Sequence, residues 1–219
     1  MNNAMCGRFA LTVTMEVLAQ MLPVPERPNL PPRWNIAPTQ STLVVIRQAD
    51  SNHLCMMRWG FAGPNNAPLI NARAETAASK PSFRAAFAGR RCLVPADSFY
   101  EWQPLADGRK QPWRVGLRDG APFCMAGLWE EAVDKDGVPE PRFTILTIQA
   151  NAYLAPLHER MPVILAPEQY ARWLQEDDTA QDLLRPYPAE AMARYRVSDV
   201  VNAVKNDGPA CFARLSQVG

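Results

Sequence analysis

Between residues 43 and 148 the chain alternates short apolar runs with turn-forming residues, and this punctuation restricts its fold more than any other feature. Runs at 43–46, 54–59, 92–95, 98–102, 113–115, 123–128 and 143–148 are cut by Asp50-Ser51-Asn52, Gly63-Pro64-Asn65-Asn66, Ala96-Asp97, Asp119-Gly120 and Asp136-Gly137. Each run suits a short strand, and the Asp-Gly pairs suit tight hairpin turns. Strands of this number and spacing predict an α+β fold with a curled antiparallel sheet or barrel-like core, flanked by short helices. Helices are expected over 14–22, closed by Pro23, over 82–88, where Phe83 and Phe87 stand four apart, and from Pro167-Glu168 through Leu174. A further turn or two is expected from Thr179 to Leu184. The prolines at 23, 25, 28, 31, 32 and 38 predict a fixed surface loop, with Trp34-Asn35-Ile36-Ala37-Pro38 packing back on the body. A last strand and tail are expected over 195–204.

Composition narrows the class. No stretch of eighteen apolar residues occurs, and Met1-Asn2-Asn3-Ala4 lacks the basic and then apolar run of a secretion signal, so a cytoplasmic protein with no membrane partner is expected. The five cysteines are widely spaced with no C-x-x-C pair, and only His53 and His158 offer imidazole, so neither a disulfide framework, a metal nor a cofactor is expected. Net charge is only +1, yet Lys80, Arg84, Arg90, Arg91, Arg109, Lys110, Arg114 and Arg118 face just Asp97, Glu101 and Asp107 over the same stretch. That asymmetry allows a basic face for a polyanion. No long heptad pattern is present, and a monomer is expected.

Cys6 carries the sharpest chemistry. If the chain begins at Met5, methionine trimming in front of a small side chain exposes Cys6 as the N-terminal residue. Its α-amine, with a pKa of about 8, and its thiol, of about 8.5, are both partly nucleophilic near neutrality, whereas a lysine at about 10.4 is protonated. An amine and thiol two carbons apart condense with an aldehyde to an imine and then close to a thiazolidine. The alternative is a buried cysteine that fills the core. Strand alternation puts Glu101 on the face of Phe99, so either Tyr100 and Trp102 look outward or the acid looks inward, where its pKa would rise toward that of a general acid or base. Asn71 and Arg73 alternate and, in an extended chain, share a face suited to phosphate or sugar, unless Arg73 pairs with Glu75. His158 stands in a loop before a proline-punctuated strand, beside Arg160.

The order of Met5-Cys6-Gly7-Arg8-Phe9, Trp34-Asn35-Ile36-Ala37-Pro38, Arg58-Trp59-Gly60, Ile70-Asn71-Ala72-Arg73-Ala74-Glu75-Thr76, Phe99-Tyr100-Glu101-Trp102 and His158-Glu159-Arg160-Met161-Pro162, with the late segment at 200–202, resembles the SRAP family (SOS-response-associated peptidases). The resemblance covers nearly all of the chain from Met5 and implies one domain over 5–219, with 1–4 as an extension. It implies a DNA-damage activity: covalent capture of abasic sites in single-stranded DNA through a thiazolidine, with some lyase activity at the imine stage. Carried over, Cys6 is the crosslinking nucleophile, Asn71 holds the opened sugar, Glu101 is the general acid or base and His158 the proton-transfer partner. Arg8, Arg73 and Arg160 are expected near phosphates, and Trp59 and Trp102 stack on flanking bases or pack in the core. When bound to DNA the protein would be nucleoid-associated. Two other readings stay open: a cysteine peptidase (a hydrolase) using Cys6, His158 and Glu101, and a passive single-strand binder that survives Cys6→Ser.

Overall fold

A computed structural model of the chain describes residues 6–175 and 178–216. Met1–Met5, the segment whose removal would free Cys6, lie outside the described residues. Thirteen strands are present among these: β1 Phe9–Leu11, β2 Arg33–Ile36, β3 Ser41–Gln48, β4 Ser51–Trp59, β5 Asn71–Arg73, β6 Arg91–Ala96, β7 Ser98–Pro104, β8 Lys110–Leu117, β9 Phe123–Glu130, β10 Arg142–Gln149, β11 Arg160–Pro162, β12 Ile164–Leu165 and β13 Met192–Arg196. Four short helices accompany them: α1 Met15–Met21, α2 Ala74–Ala77, α3 Arg84–Gly89 and α4 Tyr170–Leu174.

The strands form two sheets. One is antiparallel throughout, in the order β13-β8-β7-β1-β2. In the other, β3 pairs β4 and β6, β6 pairs β9, β9 pairs β10, and β10 returns to β4, so five strands close into a ring. Closure leaves none of the five with an unpaired edge along its whole length. The antiparallel pattern expected from the sequence is broken only at β10, which runs parallel to β4 and β5. Gly127 on β9 is where the ring is tightest, since a Cβ there would sit 2.8 Å from Cys92 Sγ and 3.1 Å from the Thr144 carbonyl.

Alternation along the antiparallel sheet sends side chains to two different layers. Phe9, Phe99, Val115 and Met192 face the ring and share its core with Trp59, Phe143 and Ile145. Ala10 and Tyr100 face the other way, under Val197, Val201 and Cys211 from the C-terminal segment. β7 is therefore covered on both faces, which is why Phe99, Tyr100 and Glu101 are all buried in sequence.

Two expectations need correction. The proline-rich stretch crosses the surface only as far as Pro32, after which Arg33–Ile36 joins the sheet as an edge strand. Its outer backbone groups are satisfied by the Asp207 carboxylate, which accepts from the Trp34 and Asn35 N–H groups at 2.6 and 3.0 Å and pairs with Arg33. The last strand is Met192–Arg196, and 199–202 coil into a 3-10 turn rather than continuing it. The first of these arises from this C-terminal contact, which strand propensity does not encode. Replacing Asp207 with Ala leaves the Trp34 and Asn35 N–H groups without their acceptor, and urea unfolding should show a loss of about 1–3 kcal/mol per stranded donor.

Candidate active site

The site begins three residues before β1. Phe9 lies opposite Phe99 and Ala10 opposite Ser98, and Tyr100 donates its N–H to the Arg8 carbonyl at 2.9 Å. Continuing that register brings residues 6 and 7 alongside Glu101. Cys6 takes a left-handed backbone, φ 37°, which turns its nitrogen toward the ring-facing side of β7. There the Cys6 N–H donates to Glu101 Oε1 at 2.8 Å. Cys6 is fully buried and Glu101 is 4% exposed, so the contact is dry.

Burial sets the electrostatics of this pair. The Glu101 carboxyl is pushed up to about 8 by loss of water, with the N–H groups of Cys6 and Trp102 pulling the other way. The acid looks inward, and it has the poise of a proton donor and acceptor near neutral pH. The Cys6 thiol is driven well above its ordinary value, first by burial and then by the Glu101 charge. It is not an activated thiolate.

His158 and Asn71 belong to the other sheet, Asn71 on β5 and His158 just before β11. Asn71 opens β5 opposite Ile145 of β10, directly after Ile70, whose carbonyl accepts from both Trp59 Nε1 and the Ile145 N–H. Half-buried Asn71 is thus fixed to a strand that packs against the core holding Cys6. His158 precedes β11 and accepts the Arg160 N–H on Nδ1 at 3.0 Å. That bond leaves the ring proton of the neutral form on Nε2, the nitrogen free to donate. Burial lowers the His158 pKa, the Glu159 charge and the Arg160 backbone contact oppose it, and the charges of Arg160 and Lys110 add smaller downward pulls.

The remaining expected residues separate clearly. Arg8 projects to the opposite face of the sheet, where Nη1 donates to Asn35 Oδ1 and the Val201 carbonyl, both at 2.7 Å, and its guanidinium lies 5.8 Å from the Trp102 ring centre. Trp102 is half-buried and donates Nε1 to Asn202 at 2.7 Å. Arg73 is exposed, and its alternative partner Glu75 is held instead by Arg160 through two bonds of 2.5 and 2.8 Å. Arg160 also donates to the Thr147 carbonyl, so it clamps β11 and reaches a phosphate only by sharing that carboxylate. Trp59 is corrected outright as a base-stacking residue: fully buried, it packs edge-on against Phe9 at 5.1 Å and stacks with Phe143 at 6.1 Å. The sequence reading missed Asn35 as the residue that positions Arg8. The signal available was a polar residue inside an apolar island; the structure buries it fully, with its amide donating to the carbonyls of 201, 203 and 206. Among the described residues no three His, Cys, Asp or Glu side chains gather as metal ligands.

The chain is similar to known proteins along nearly its whole length. The model of the SOS response associated peptidase family matches residues 5–204. The Bacillus subtilis protein YoaM, an abasic site processing protein, is 38% identical over 216 residues, covering 93% of this chain and 95% of the relative. Escherichia coli YedK, also an abasic site processing protein, is 31% identical over 217 residues, covering 93% and 97%. A crystal structure of a Bordetella bronchiseptica protein superimposes with a TM-score of 0.76 at 28% identity, over 88% of this chain and all of that one.

In the 219-residue chain the Cys6 nitrogen is a peptide amide and offers no positive charge to Glu101. The acid's stabilising neutral form is fully present below its ordinary value of 4.5 and is lost as pH rises through its folded value of about 8. Glu101→Gln keeps the neutral form at every pH. Its stability relative to the parent should therefore grow across that window, by up to about 1.4 kcal/mol per pH unit, in urea unfolding at stepped pH. Parallel pH profiles for the two proteins would contradict the dry environment of Glu101.

Proposed function

The chain belongs to the SOS response associated peptidase family, and from that premise we propose that it processes abasic sites by trapping them covalently on Cys6 in single-stranded DNA. The observation that carries this reading is the Cys6 nitrogen 2.8 Å from the buried Glu101 carboxyl. With Met1–Met5 removed, the same nitrogen is an α-amine, and the amide N–H stands in for one of its protons. Removal also abolishes the left-handed φ of Cys6, since that torsion needs the carbonyl carbon of residue 5. The relief is on the order of 1–2 kcal/mol for a residue with a Cβ.

The steps balance as a condensation. Ionised Glu101 takes a proton from the α-ammonium, and the free amine attacks the aldehyde of the ring-opened sugar. The resulting carbinolamine becomes an imine when Glu101 returns the proton to its hydroxyl and water departs. The Cys6 sulfur then adds to the imine carbon, its proton passes to the nitrogen, and a thiazolidine closes. One water is lost overall. His158, neutral and with Nε2–H available, serves the sugar's ring-opening proton transfer, and the Asn71 amide holds the opened sugar's hydroxyl. On this reading exposed Arg73 meets a strand phosphate, Arg8 does so from the other face of the sheet, and the Trp102 ring meets a flanking base.

The peptidase reading gains no support from the thiol. A cysteine nucleophile needs its pKa lowered, usually by an adjacent imidazole, whereas burial and Glu101 raise that of Cys6, and His158 Nδ1 is taken by the Arg160 N–H.

Intact-mass measurement of protein beginning at Cys6, incubated with a single-stranded oligonucleotide carrying one abasic site, should show the summed masses less one water. The adduct should be absent in Cys6→Ala and in protein that keeps Met1–Met5, and strongly reduced when the lesion is placed in a duplex. Failure to form it while the oligonucleotide stays intact would overturn the reading.

A further inference from the structure

The face of β7 that carries Glu101 extends across two more strands into a cluster of arginines that none of the chemistry above uses. Glu101 lies opposite Trp113 of β8, and Trp113 lies opposite Arg196 of β13, so the three form one row on one face. The next row is Phe99, Val115 and Arg194. At about 4.8 Å per strand, Arg196 stands roughly 10 Å from Glu101 along the sheet. Phe99 and Val115 pass into the core, whereas the Trp113 and Arg196 end of the face opens beside a cavity of about 310 Å³ lined by Trp113, Arg194, Tyr195, Arg196, Arg214 and Ser216.

Three arginines line this cavity, and no acidic residue lines it among the described residues. The ion pairs among the described residues include none to Arg194, Arg196 or Arg214. Like charges so close repel, and they are held together by interactions that leave the charge uncompensated. Arg194 lies over Trp113 at 5.3 Å and over Tyr153 at 4.6 Å and donates to the Tyr153 carbonyl. Arg196 donates one bond, 3.1 Å, to the Ser216 carbonyl. Arg214 lies over Tyr195 at 4.5 Å. A guanidinium has five N–H donors, so most of theirs remain available. Side chains fixed by aromatic faces and backbone carbonyls, with charge and donors to spare, are pre-organised for an anion with several oxygens.

We propose that Arg194 and Arg196, steadied by Trp113, bind a backbone phosphate of the strand whose lesion lies at Cys6, on the side of the site toward the β13 edge. The ligand class is a nucleic-acid phosphodiester. Binding is to the backbone alone, since Arg194 already covers the Trp113 ring and no base edge is read. The role is to hold the strand in register while the slow covalent step proceeds.

This inference rests on the strand-capture reading, and the test separates the two. Binding of an undamaged single-stranded oligonucleotide to protein carrying Cys6→Ala is measured by fluorescence anisotropy over a range of salt, with and without Arg194→Gln and Arg196→Gln together. The double substitution should weaken binding roughly tenfold at low salt, and for every phosphate no longer neutralised the slope of log K against log salt should flatten by about 0.7. Arg196→Gln alone, whose guanidinium touches only one carbonyl, should give the smaller of these changes with an unaltered thermal transition, which covers the case in which the double variant unfolds. Unchanged affinity and slope in folded variants would overturn the inference even if abasic DNA still crosslinks. A flattened slope would support it even if the parent protein formed no crosslink, in which case only the chemistry assigned to Cys6 would fall.

Discussion

A single hydrogen bond in a dry place, from the Cys6 nitrogen to Glu101, joins the start of the described chain to the middle of β7. It exists because β1, only three residues long, is held between β7 and β2 and carries the residues just before it onto the carboxylate. The carboxylate is dry because the ring of strands covers that face of β7. Water exclusion has two consequences of opposite sign. Against a neutral amide it raises the acid's pKa and costs stability as the acid ionises; against an α-ammonium it makes the charge pairing strong. The same arrangement is a burden in a chain that retains its extension and, in the proposed function, a proton relay in one that begins at Cys6.

The opposite face of β7 has a different task. Tyr100 and Trp102 meet the C-terminal segment there, with the Tyr100 hydroxyl donating to the Trp34 carbonyl and Trp102 to Asn202. Arg8 reaches the same layer and is fixed by Asn35, itself fixed by the carbonyls of 201, 203 and 206. Alternation therefore divides labour along one strand. Odd positions 99 and 101 face the ring and Cys6, and even positions 100 and 102 meet Trp34 and the C-terminal segment.

Much of this was legible from local pattern. The strands of β3, β4, β6, β7, β8, β9 and β10 fall where apolar runs and turn residues put them, and Gly120 and Gly137 take the positive φ values, 75° and 80°, that their Asp-Gly turns require. Pattern did not reach whatever depends on residues distant in sequence. The parallel return of β10 onto β4, the capture of β2 by Asp207, and the Glu75–Arg160 clamp in place of Glu75–Arg73 are partner choices with no local signature. Trp59 shows the same limit. A tryptophan beside Arg58 and Gly60 reads equally as a stacking platform or as core, and only closure of the ring around Phe9 and Phe143 decides for core. For Glu101, alternation reduced the choice to two faces, and the burial of both faces of β7 resolved it.

The coupling itself is most directly read from the Glu101 side-chain carboxyl resonance, followed by NMR through a pH titration in two forms of the protein. In the chain that keeps residue 5 bonded to Cys6 the midpoint should lie near 8. In protein beginning at Cys6 the adjacent α-ammonium should move it clearly downward, with the amine titrating at correspondingly higher pH. The same midpoint in both forms would mean that the amine and the acid do not share a proton, and would contradict the account at its centre.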